Sequence, residues 1–328
     1  MKAIQVFGPR HMRMVDVPEP QRESGQLLIR SEVLSICGSD MRSFRYAFPE
    51  EQYPLAPCMP CHECVGIVEE SDSAEVPAGT RVIALNIGRG GRGGNYGMGA
   101  EWVLSAPDLV IPLPEGADPS TYIMCQPVGT VLYAAKRLPN IIGQTVVVLG
   151  QGVIGLTFTR LAAQMGAGRI VAVDHHDYRL AKSRQLGATH TVNSYNEDPI
   201  AVVRELTGGE GADVVIEAAG QIETVEMIKG LVKMFGTIAL FGLPEEPKVE
   251  LDYVGLMRRQ AIIIPNVSAS TNDPTGCIKE TVDLVNSGQL DVSWLVTHRL
   301  PFSEAPKAYE MYEGYQDEII KVVMDASA

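Results

Sequence analysis

Two short segments near the N-terminus carry side chains suited to metal chemistry, Cys37-Gly38-Ser39-Asp40 and His62-Glu63. A thiolate, an imidazole and a carboxylate from separated segments form a typical zinc set. Three protein ligands suffice for a catalytic zinc, because such a site keeps one position open. Taken singly, a cysteine or a lone histidine is more often a packing residue. The set therefore predicts a metal site only together with the rest of the chain.

A glycine-rich turn at Gly150–Gly155 (GQGVIG) has the G-x-G-x-x-G spacing of dinucleotide-binding proteins. The apolar run Thr145–Leu149 leads into it and a helical pattern follows it. Gly150 would permit the tight turn, Gly152 would let the backbone approach a pyrophosphate, and Gly155 would let helix and strand pack closely. The pyrophosphate would then lie at the positive end of the helix dipole.

A second apolar strand, Arg169–Val173, ends in Asp174, which lies 24 residues after Gly150. That distance is close to the spacing of about 20 expected for the ribose-binding carboxylate. Asp174 can accept both ribose hydroxyls and would repel a 2′-phosphate, so the sequence favours NAD over NADP. Arg179 could bind a phosphate, but beside Asp174 we expect it to flank the adenosine.

The cysteines cluster toward the N-terminus. A chain of this size does not need disulfide staples, so the clustering indicates thiol or metal chemistry. Cys58-x-x-Cys61-His62-x-Cys64 looks like a second metal site, but an iron–sulfur run would need another cysteine soon after Cys64. We predict small buried thiols there. The six cysteines are Cys37, Cys58, Cys61, Cys64, Cys125 and Cys277.

The elements that must position these residues change character along the chain. Up to about residue 120 the pattern predicts short strands, with a glycine-rich loop at Gly88–Gly99 that carries Arg89 and Arg92. Beyond it, apolar strands alternate with helices, which argues for a parallel sheet covered on both faces. The predicted boundaries include helices Tyr122–Leu138, Ile222–Phe235 and Asp273–Ser287, an edge strand Ala261–Ile264 and a final strand Ile319–Met324.

Composition narrows the function classes. The 328 residues are 45% hydrophobic and 20% charged, with a formal net charge of −13. Such an acidic balance argues against nucleic-acid binding and against anionic membranes. The sequence has no run of 18 or more apolar residues and no signal-peptide pattern, so we expect a cytoplasmic protein.

In their order along the chain, these motifs resemble the zinc-containing medium-chain dehydrogenase/reductase superfamily. The likeness comprises Cys37–Asp40, the His-Glu pair with the following V-G-x-V strand (His62–Val68), Ala100–Trp102, the glycine turn, Gly211–Gly220 (GADVVIEAAG) and Ile319–Met324 (IIKVVM). It implies an α/β fold: a GroES-like β-rich catalytic domain (1–121 and 271–328) around a Rossmann doubly wound parallel-sheet domain (122–270).

The resemblance also implies roles for particular residues. Cys37 and His62 would bind zinc, Asp40 would fix the tautomer of His62, and Ser39 would pass on the proton of the substrate hydroxyl. Glu63 would be a nearby carboxylate that can approach the metal. Thr130 would pack against the nicotinamide ring, and the other cofactor contacts would be Gly150, Gly152, Val153, Ile154, Gly155, Asp174 and Arg179.

The chain departs from the family pattern in four places. Where the family has Glu-Pro, with the glutamate as third zinc ligand, this chain has Gln126, whose amide oxygen can ligate zinc without adding charge. Alternatively Cys125 supplies a thiolate, although the register favours Gln126. The four-cysteine structural zinc lobe is replaced by the Gly88–Gly99 loop, so we expect one catalytic zinc and no structural zinc. Arg42 stands where many relatives have a proton-relay histidine, and arginine stays protonated. Cys61 replaces a usual glycine.

The predicted function is oxidation of a secondary alcohol, on a polyol, sugar or cyclitol, by hydride transfer to NAD, with zinc as Lewis acid. Arg42, Arg45 and Glu101 are the candidate substrate contacts. Two alternatives stay open: a zinc-free quinone or enoyl reductase of the same superfamily, and an NAD(H)-binding sensor without turnover. An exposed edge strand at Ala261–Ile264 would pair with its copy, which predicts a homodimer or homotetramer.

Overall fold

The chain divides into two compact units in a computed structural model that describes residues 1–46, 48–86, 97–244, 248–266 and 273–327. One unit comprises Met1–Gln126 and Asp273–Ala328, and the other is Pro127–Asn272. Most of the loop predicted at Gly88–Gly99, including Arg89 and Arg92, lies outside the described residues. So does the predicted domain boundary after residue 270.

Short strands and short helices make up the chain as far as residue 135. The strands are β1 (Lys2–Gly8), β2 (His11–Asp16), β3 (Leu27–Ser35), β4 (Glu63–Glu70), β5 (Arg81–Ala84), β6 (Trp102–Ser105) and β7 (Val110–Pro112), and the helices are α1 (Asp40–Arg45), α2 (Pro119–Tyr122) and α3 (Cys125–Ala135). Along β3, more buried and less buried residues alternate, as expected of a strand with one face on the core.

A parallel sheet forms the second unit. Its elements are β8 (Thr145–Leu149), α4 (Val153–Gln164), β9 (Arg169–Asp174), α5 (Asp177–Gln185), β10 (His190–Asn193), α6 (Pro199–Leu206), β11 (Ala212–Glu217), α7 (Ile222–Leu231), β12 (Val232–Leu240), α8 (Tyr253–Arg259) and β13 (Ile262–Pro265). Among the described residues the strand order is β10-β9-β8-β11-β12-β13. This order, with all neighbours parallel, is that of a Rossmann fold, so the predicted fold class is confirmed.

The C-terminal segment returns to the first unit. It contains α9 (Gly276–Asn286), β14 (His298–Pro301), α10 (Ala305–Glu313) and β15 (Val322–Asp325). In the part of the chain that the structure describes, the sheet runs β14-β15-β3-β4-β5-β7, with β6 paired to β3. Ser35 on β3 therefore lies between Val323 on β15 and Glu63 on β4. This register brings the two ends of the chain together beside the predicted zinc ligands.

Several predicted boundaries were wrong. The helix predicted over Tyr122–Leu138 is α3, which begins at Cys125 and ends at Ala135. Tyr122 instead ends α2, a separate short helix that Asp118 caps by accepting from the N–H groups of Ser120 and Thr121. The helix predicted to reach Phe235 ends at Leu231, where the chain passes directly into β12. Elements α6, α8 and β10 were not predicted, although Asp198 and Asp252 cap the two helices.

Other boundaries are displaced by a few residues. The final strand is β15, which begins three residues later than predicted, and α9 begins at Gly276. The edge strand is β13, and its end position in the sheet is confirmed. Within the described ranges, every helix is too short or too polar to cross a membrane.

Candidate functional site

The sheet register brings three of the predicted metal-site residues together in the first unit. Cys37 follows β3, His62 precedes β4, and Glu63 begins β4 opposite Ser35. One donor atom from each of Cys37, His62 and Glu63 lies within 4.8 Å of the other two. A metal ion at their centre would be within coordination reach of a thiolate, an imidazole and a carboxylate, which is a donor set that suits zinc.

Asp40 connects the two segments that carry Cys37 and His62. Its Oδ1 lies 2.6 Å from His62 Nδ1, and its Oδ2 accepts the Cys37 backbone N–H at 2.9 Å. With Nδ1 engaged, the other ring nitrogen of His62 is left for a metal. Burial lowers the pKa of His62, but the charges of Asp40 and Cys37 outweigh burial and raise the pKa well above its usual range. This hydrogen bond to His62 is the one that the family resemblance implied for Asp40.

Lys321 and Ser35, which the sequence motifs did not identify, bind the Glu63 carboxylate. Lys321 Nζ lies 3.0 Å from Glu63 Oε1 and 2.7 Å from Oε2, and the Ser35 hydroxyl donates to Oε2. Burial alone would lower the pKa of Lys321, yet the Glu63 carboxylate raises it above its usual range. A signal was present in the sequence, because a lysine in the apolar run IIKVVM needs a partner if it is buried.

Tyr309 on α10 is a second missed residue. The side chain is fully buried and its ring packs 5.6 Å from that of Phe44. Among the described residues, no group forms a hydrogen bond with its hydroxyl. Burial raises the pKa of that hydroxyl, and the nearby charges of Asp40 and Cys37 raise it further. A buried hydroxyl that has no hydrogen-bond partner, beside the possible metal ligands, is consistent with a site that binds a further group.

Cys125 and Gln126 are the two candidates for the third ligand. Cys125 and Gln126 are both buried at the start of α3. Within the described ranges, Cys125 is not part of the group formed by Cys37, His62 and Glu63. Burial raises the pKa of its thiol to about 12, which disfavours the thiolate that a metal requires. Cys125 therefore does not belong to the described donor set, and Gln126 as the third ligand stays a prediction.

Of the predicted proton-transfer and substrate residues, Ser39 contacts this group. Ser39 is exposed and its hydroxyl lies 3.3 Å from Cys37 Sγ. Arg42 is exposed on α1, with its guanidinium 5.9 Å from the Tyr46 ring. The Glu101 carboxylate accepts the Lys2 backbone N–H at 2.6 Å. Glu101 is therefore engaged in holding β1, whereas Arg42 presents its charge to solvent.

The remaining thiols near His62 are buried. Cys61 Sγ lies 3.6 Å from both the Ser35 and the Glu63 carbonyl oxygens, and Cys64 Sγ lies 3.6 Å from the Ser31 hydroxyl. Burial raises the pKa of Cys58 to about 11 and that of Cys64 to about 12. Within the part of the chain that is described, these three sulfurs belong to no group of candidate metal ligands.

The glycine turn in the second unit has the geometry that a nucleotide requires. Gly150 has φ +85°, in the left-handed region that favours glycine. A Cβ on Gly155 would lie 1.7 Å from the Gly150 carbonyl oxygen, so only glycine fits there. At Gly152 the nearest atom to such a Cβ is Arg179 Nη1, at 3.9 Å, which leaves the backbone open to a ligand. Val153 and Ile154 then begin α4, whose N-terminus suits a phosphate.

Asp174 ends β9 beside this turn. Its Oδ2 accepts the Gln151 N–H at 2.6 Å, its Oδ1 accepts the His176 N–H at 2.9 Å, and Arg179 Nη1 lies 3.9 Å from Oδ2. The carboxylate and the guanidinium thus lie together at the glycine turn, and their contacts to a nucleotide stay predictions. Thr130 is buried on α3, and its hydroxyl donates to the Pro127 carbonyl at 2.6 Å.

Glu217 was missed although it lies within the quoted GADVVIEAAG segment. The buried carboxylate accepts from the N–H groups of Ala219 and Gly220 and from the Thr224 hydroxyl, all at 2.8–2.9 Å. Burial raises its pKa. Ala219 in turn contacts the position of a Cβ on Gly150, so Glu217 holds the loop that packs against the glycine turn.

Comparisons with known proteins identify the family. The family model for the alcohol dehydrogenase GroES-like domain matches residues 23–115, and that for the zinc-binding dehydrogenase matches residues 153–286. An L-threonine 3-dehydrogenase from Bacillus subtilis is 29% identical over 92% of each chain. A sorbitol dehydrogenase from the same organism is 24% identical over 99% of this chain and 97% of that one.

A solved structure agrees with these matches. An alcohol dehydrogenase from Thermus sp. ATN1 superposes with a TM-score of 0.87 at 25% identity, covering 99% of both chains. The motifs, the strand order and the matches along the chain all lead to the same family. The chain is a dehydrogenase that belongs to the zinc-containing medium-chain dehydrogenase/reductase superfamily.

Proposed function

We propose that this protein oxidises a secondary alcohol of a polyol, sugar or cyclitol to the ketone, with one zinc ion per chain and NAD as hydride acceptor. The observation that carries the proposal is the convergence of Cys37, His62 and Glu63, with Asp40 on the remaining His62 nitrogen. The names of two relatives, sorbitol and threonine 3-dehydrogenase, denote substrates with secondary hydroxyl groups.

In the first unit, different residues would bind the zinc, bind the substrate and transfer the proton. Cys37 and His62 would hold the zinc, with Gln126 as third ligand, and Asp40 keeps the His62 ring in one orientation. The bound zinc supplies a Lewis acid that lowers the pKa of an alcohol hydroxyl. Ser39, whose hydroxyl is exposed, would accept the released proton and pass it to solvent. Arg42 stays protonated and would bind an anionic or hydroxyl group of the substrate.

The second unit would bind the nucleotide and set the choice between NAD and NADP. NAD accepts the hydride through its nicotinamide ring. Asp174 would accept the adenosine ribose hydroxyls, and its negative charge disfavours a 2′-phosphate. Arg179, 3.9 Å away, is held against Asp174 and would flank the adenosine. Thr130 would pack against the nicotinamide.

A homodimer would cover the exposed edge of the parallel sheet. Ile262 and Ile263 on β13 are 58% and 40% exposed. An apolar edge strand with unpaired backbone groups is satisfied by antiparallel pairing with its copy. We propose dimerisation along β13, with a tetramer as the result if dimers pair again.

The test combines metal content with turnover. Zinc in the purified protein is measured by elemental mass spectrometry, and NAD or NADP reduction is followed with polyols, simple alcohols and amino alcohols. We expect about one zinc per chain and turnover of polyols with NAD. Reaction with aliphatic alcohols alone would refute the substrate class. Zinc-free protein that reduces quinones or enoyl compounds, or that binds NADH without turnover, would refute the function.

A Cys37→Ser variant serves as the matched control. It should lose zinc and turnover, because a serine hydroxyl is a poor substitute for a thiolate. It should keep its affinity for NADH, because the glycine turn lies in the other unit. Loss of NADH binding as well would indicate general misfolding rather than a metal-site defect.

A further inference from the structure

Gln151, the second residue of the glycine turn, carries an amide that is fully buried. Its amide nitrogen donates to the Val148 carbonyl oxygen at 3.0 Å. Its amide oxygen accepts from the hydroxyls of Thr159 and Ser183, each at 2.9 Å, so both acceptor positions of that oxygen are used. Thr159 and Ser183 are themselves fully buried. One side chain of the turn is thus bound to β8, α4 and α5.

The neighbours of Gln151 in the chain make this anchor necessary. Gly150 and Gly152 stand on either side of it, and glycine restricts the backbone less than any other residue. The path of the turn is therefore fixed by what the Gln151 side chain binds. Because a satisfied buried polar network allows few alternative arrangements, we expect the backbone N–H of Gln151 to keep one position as long as its amide is bound.

That backbone N–H binds the carboxylate that the proposed function places at the adenosine ribose. It donates to Asp174 Oδ2 at 2.6 Å, a short hydrogen bond to a charged acceptor. The Ser183 hydroxyl also lies 2.8 Å from the Arg179 carbonyl oxygen, one turn earlier on α5. Gln151 is therefore linked to Asp174 through its backbone and to the turn of α5 that carries Arg179 through its side chain.

We propose that Gln151 is a positioning residue whose buried amide fixes the glycine turn against α5 and thereby orients the Asp174 carboxylate toward the ribose hydroxyls and against a 2′-phosphate. This inference rests on the proposed binding of NAD by the second unit. A carboxylate that is already oriented binds the ribose without an ordering cost. A carboxylate that is less restrained can turn away from a phosphate, so loss of the anchor should weaken NADH binding more than NADPH binding.

The experiment is fluorescence titration of NADH and NADPH against the full-length Gln151→Met variant. Methionine fills a similar volume without the amide. Both hydroxyls keep an acceptor, because serine and threonine in a helix can donate to the carbonyl four residues earlier, as Ser183 already does toward Arg179. We expect NADH to bind roughly 10-fold more weakly, and NADPH to lose less than about threefold, as the cost of a less ordered site. Urea titration confirms that the variant is folded.

A second variant tests the same link from α5. Ser183→Ala removes one hydroxyl that binds the Gln151 amide, and it serves alone if Gln151→Met does not fold. It should weaken NADH binding by roughly threefold in the wild-type background and by less than about twofold in the Gln151→Met background, because the two residues act through one contact. Gln185→Met is the matched control: Gln185 is exposed at the end of α5, so neither nucleotide affinity should change.

The ratio of the two affinities separates positioning from a purely structural role. Equal losses of NADH and NADPH affinity in Gln151→Met would overturn the proposal, and so would unchanged affinities or a full effect of Ser183→Ala in the Gln151→Met background. Wild-type protein that binds neither nucleotide, or that prefers NADPH, overturns the proposed use of NAD and this inference with it. Wild-type protein that prefers NADH, with the same preference in Gln151→Met, overturns only the role of Gln151.

Discussion

The Asp174→Asn substitution tests the basis of nucleotide choice most directly. Asparagine keeps the shape of the side chain and one oxygen to accept the N–H groups of Gln151 or His176, but it removes the charge. One of these two N–H groups loses its acceptor, so the variant should fold with a loss of stability of about 1–3 kcal/mol. What changes is the electrostatic potential at the position where a ribose 2′-phosphate would lie.

The magnitude follows from the distances at this site. A phosphate charge at about 5 Å from the Asp174 carboxylate is repelled by about 3 kcal/mol at an effective dielectric constant of about 20. Arg179 is 3.9 Å from the carboxylate and would no longer be opposed by it. The side chains of Asp174 and Arg179 are only 4% and 12% exposed, so screening by salt is weak. We expect the preference for NADH over NADPH to fall by roughly 100-fold.

The assay is fluorescence titration of NADH and NADPH against wild type and variant at one ionic strength. Most of the change should come from tighter NADPH binding, with a smaller loss for NADH as one ribose hydrogen bond weakens. Asp177→Asn is the control, because Asp177 is exposed and its carboxylate accepts from Asn193. A change of less than threefold in the preference, or an equal change in the control, would refute the assignment of Asp174.

Three further substitutions address the first unit. Asp40→Asn should weaken zinc binding by roughly 10-fold, since the neutral amide makes the His62 ring a poorer donor. Competition with a chelator measures this affinity, and an unchanged value would show that Asp40 does not support His62 as a zinc ligand. Gln126→Glu should strengthen zinc binding by adding an anionic ligand, and an unchanged affinity in the same assay would exclude Gln126 from the site. Tyr309→Phe should raise the metal-free free energy of unfolding by about 1 kcal/mol, because it removes an unpartnered buried hydroxyl; a loss of stability in urea titrations would mean that the hydroxyl has a partner.

The nucleotide-binding half of the fold could be predicted because its signals are local. An apolar strand, the glycine turn Gly150–Gly155 and a helix follow one another without interruption, and Asp174 ends the next strand. Gly150 is required by its positive φ, and Gly155 by the close approach of the Gly150 carbonyl oxygen. Helix ends were less predictable: α7 stops at Leu231 because Val232 pairs with Ala212 on β11, a contact that no local pattern encodes.

The metal site was less predictable, because part of it depends on which strands pair. Cys37, His62 and Asp40 could be proposed from their types and order, since these side chains occur in short motifs. Lys321 and Ser35 could not, because their relation to Glu63 depends on β15 and β4 pairing to either side of β3. The sequence did contain one hint, a lysine within an apolar strand, which is stable when buried only if an acid lies opposite. Which acid it is follows from the strand order alone.

The charged groups beside Cys37 are each held by a partner from a different segment of the fold. Asp40 belongs to α1 and orients His62, while Lys321, next to β15, holds Glu63. Ser35 on β3 lies opposite Glu63 on one side and opposite Val323 on the other. A shift of one residue in the β3–β4 pairing would turn Glu63 to the opposite face of the sheet, and a shift in the β3–β15 pairing would displace Lys321. Either shift would separate the buried Lys321 ammonium from its acid. The register of the C-terminal strand is therefore part of the metal site, and changes in β15 should alter zinc affinity although no zinc ligand is replaced.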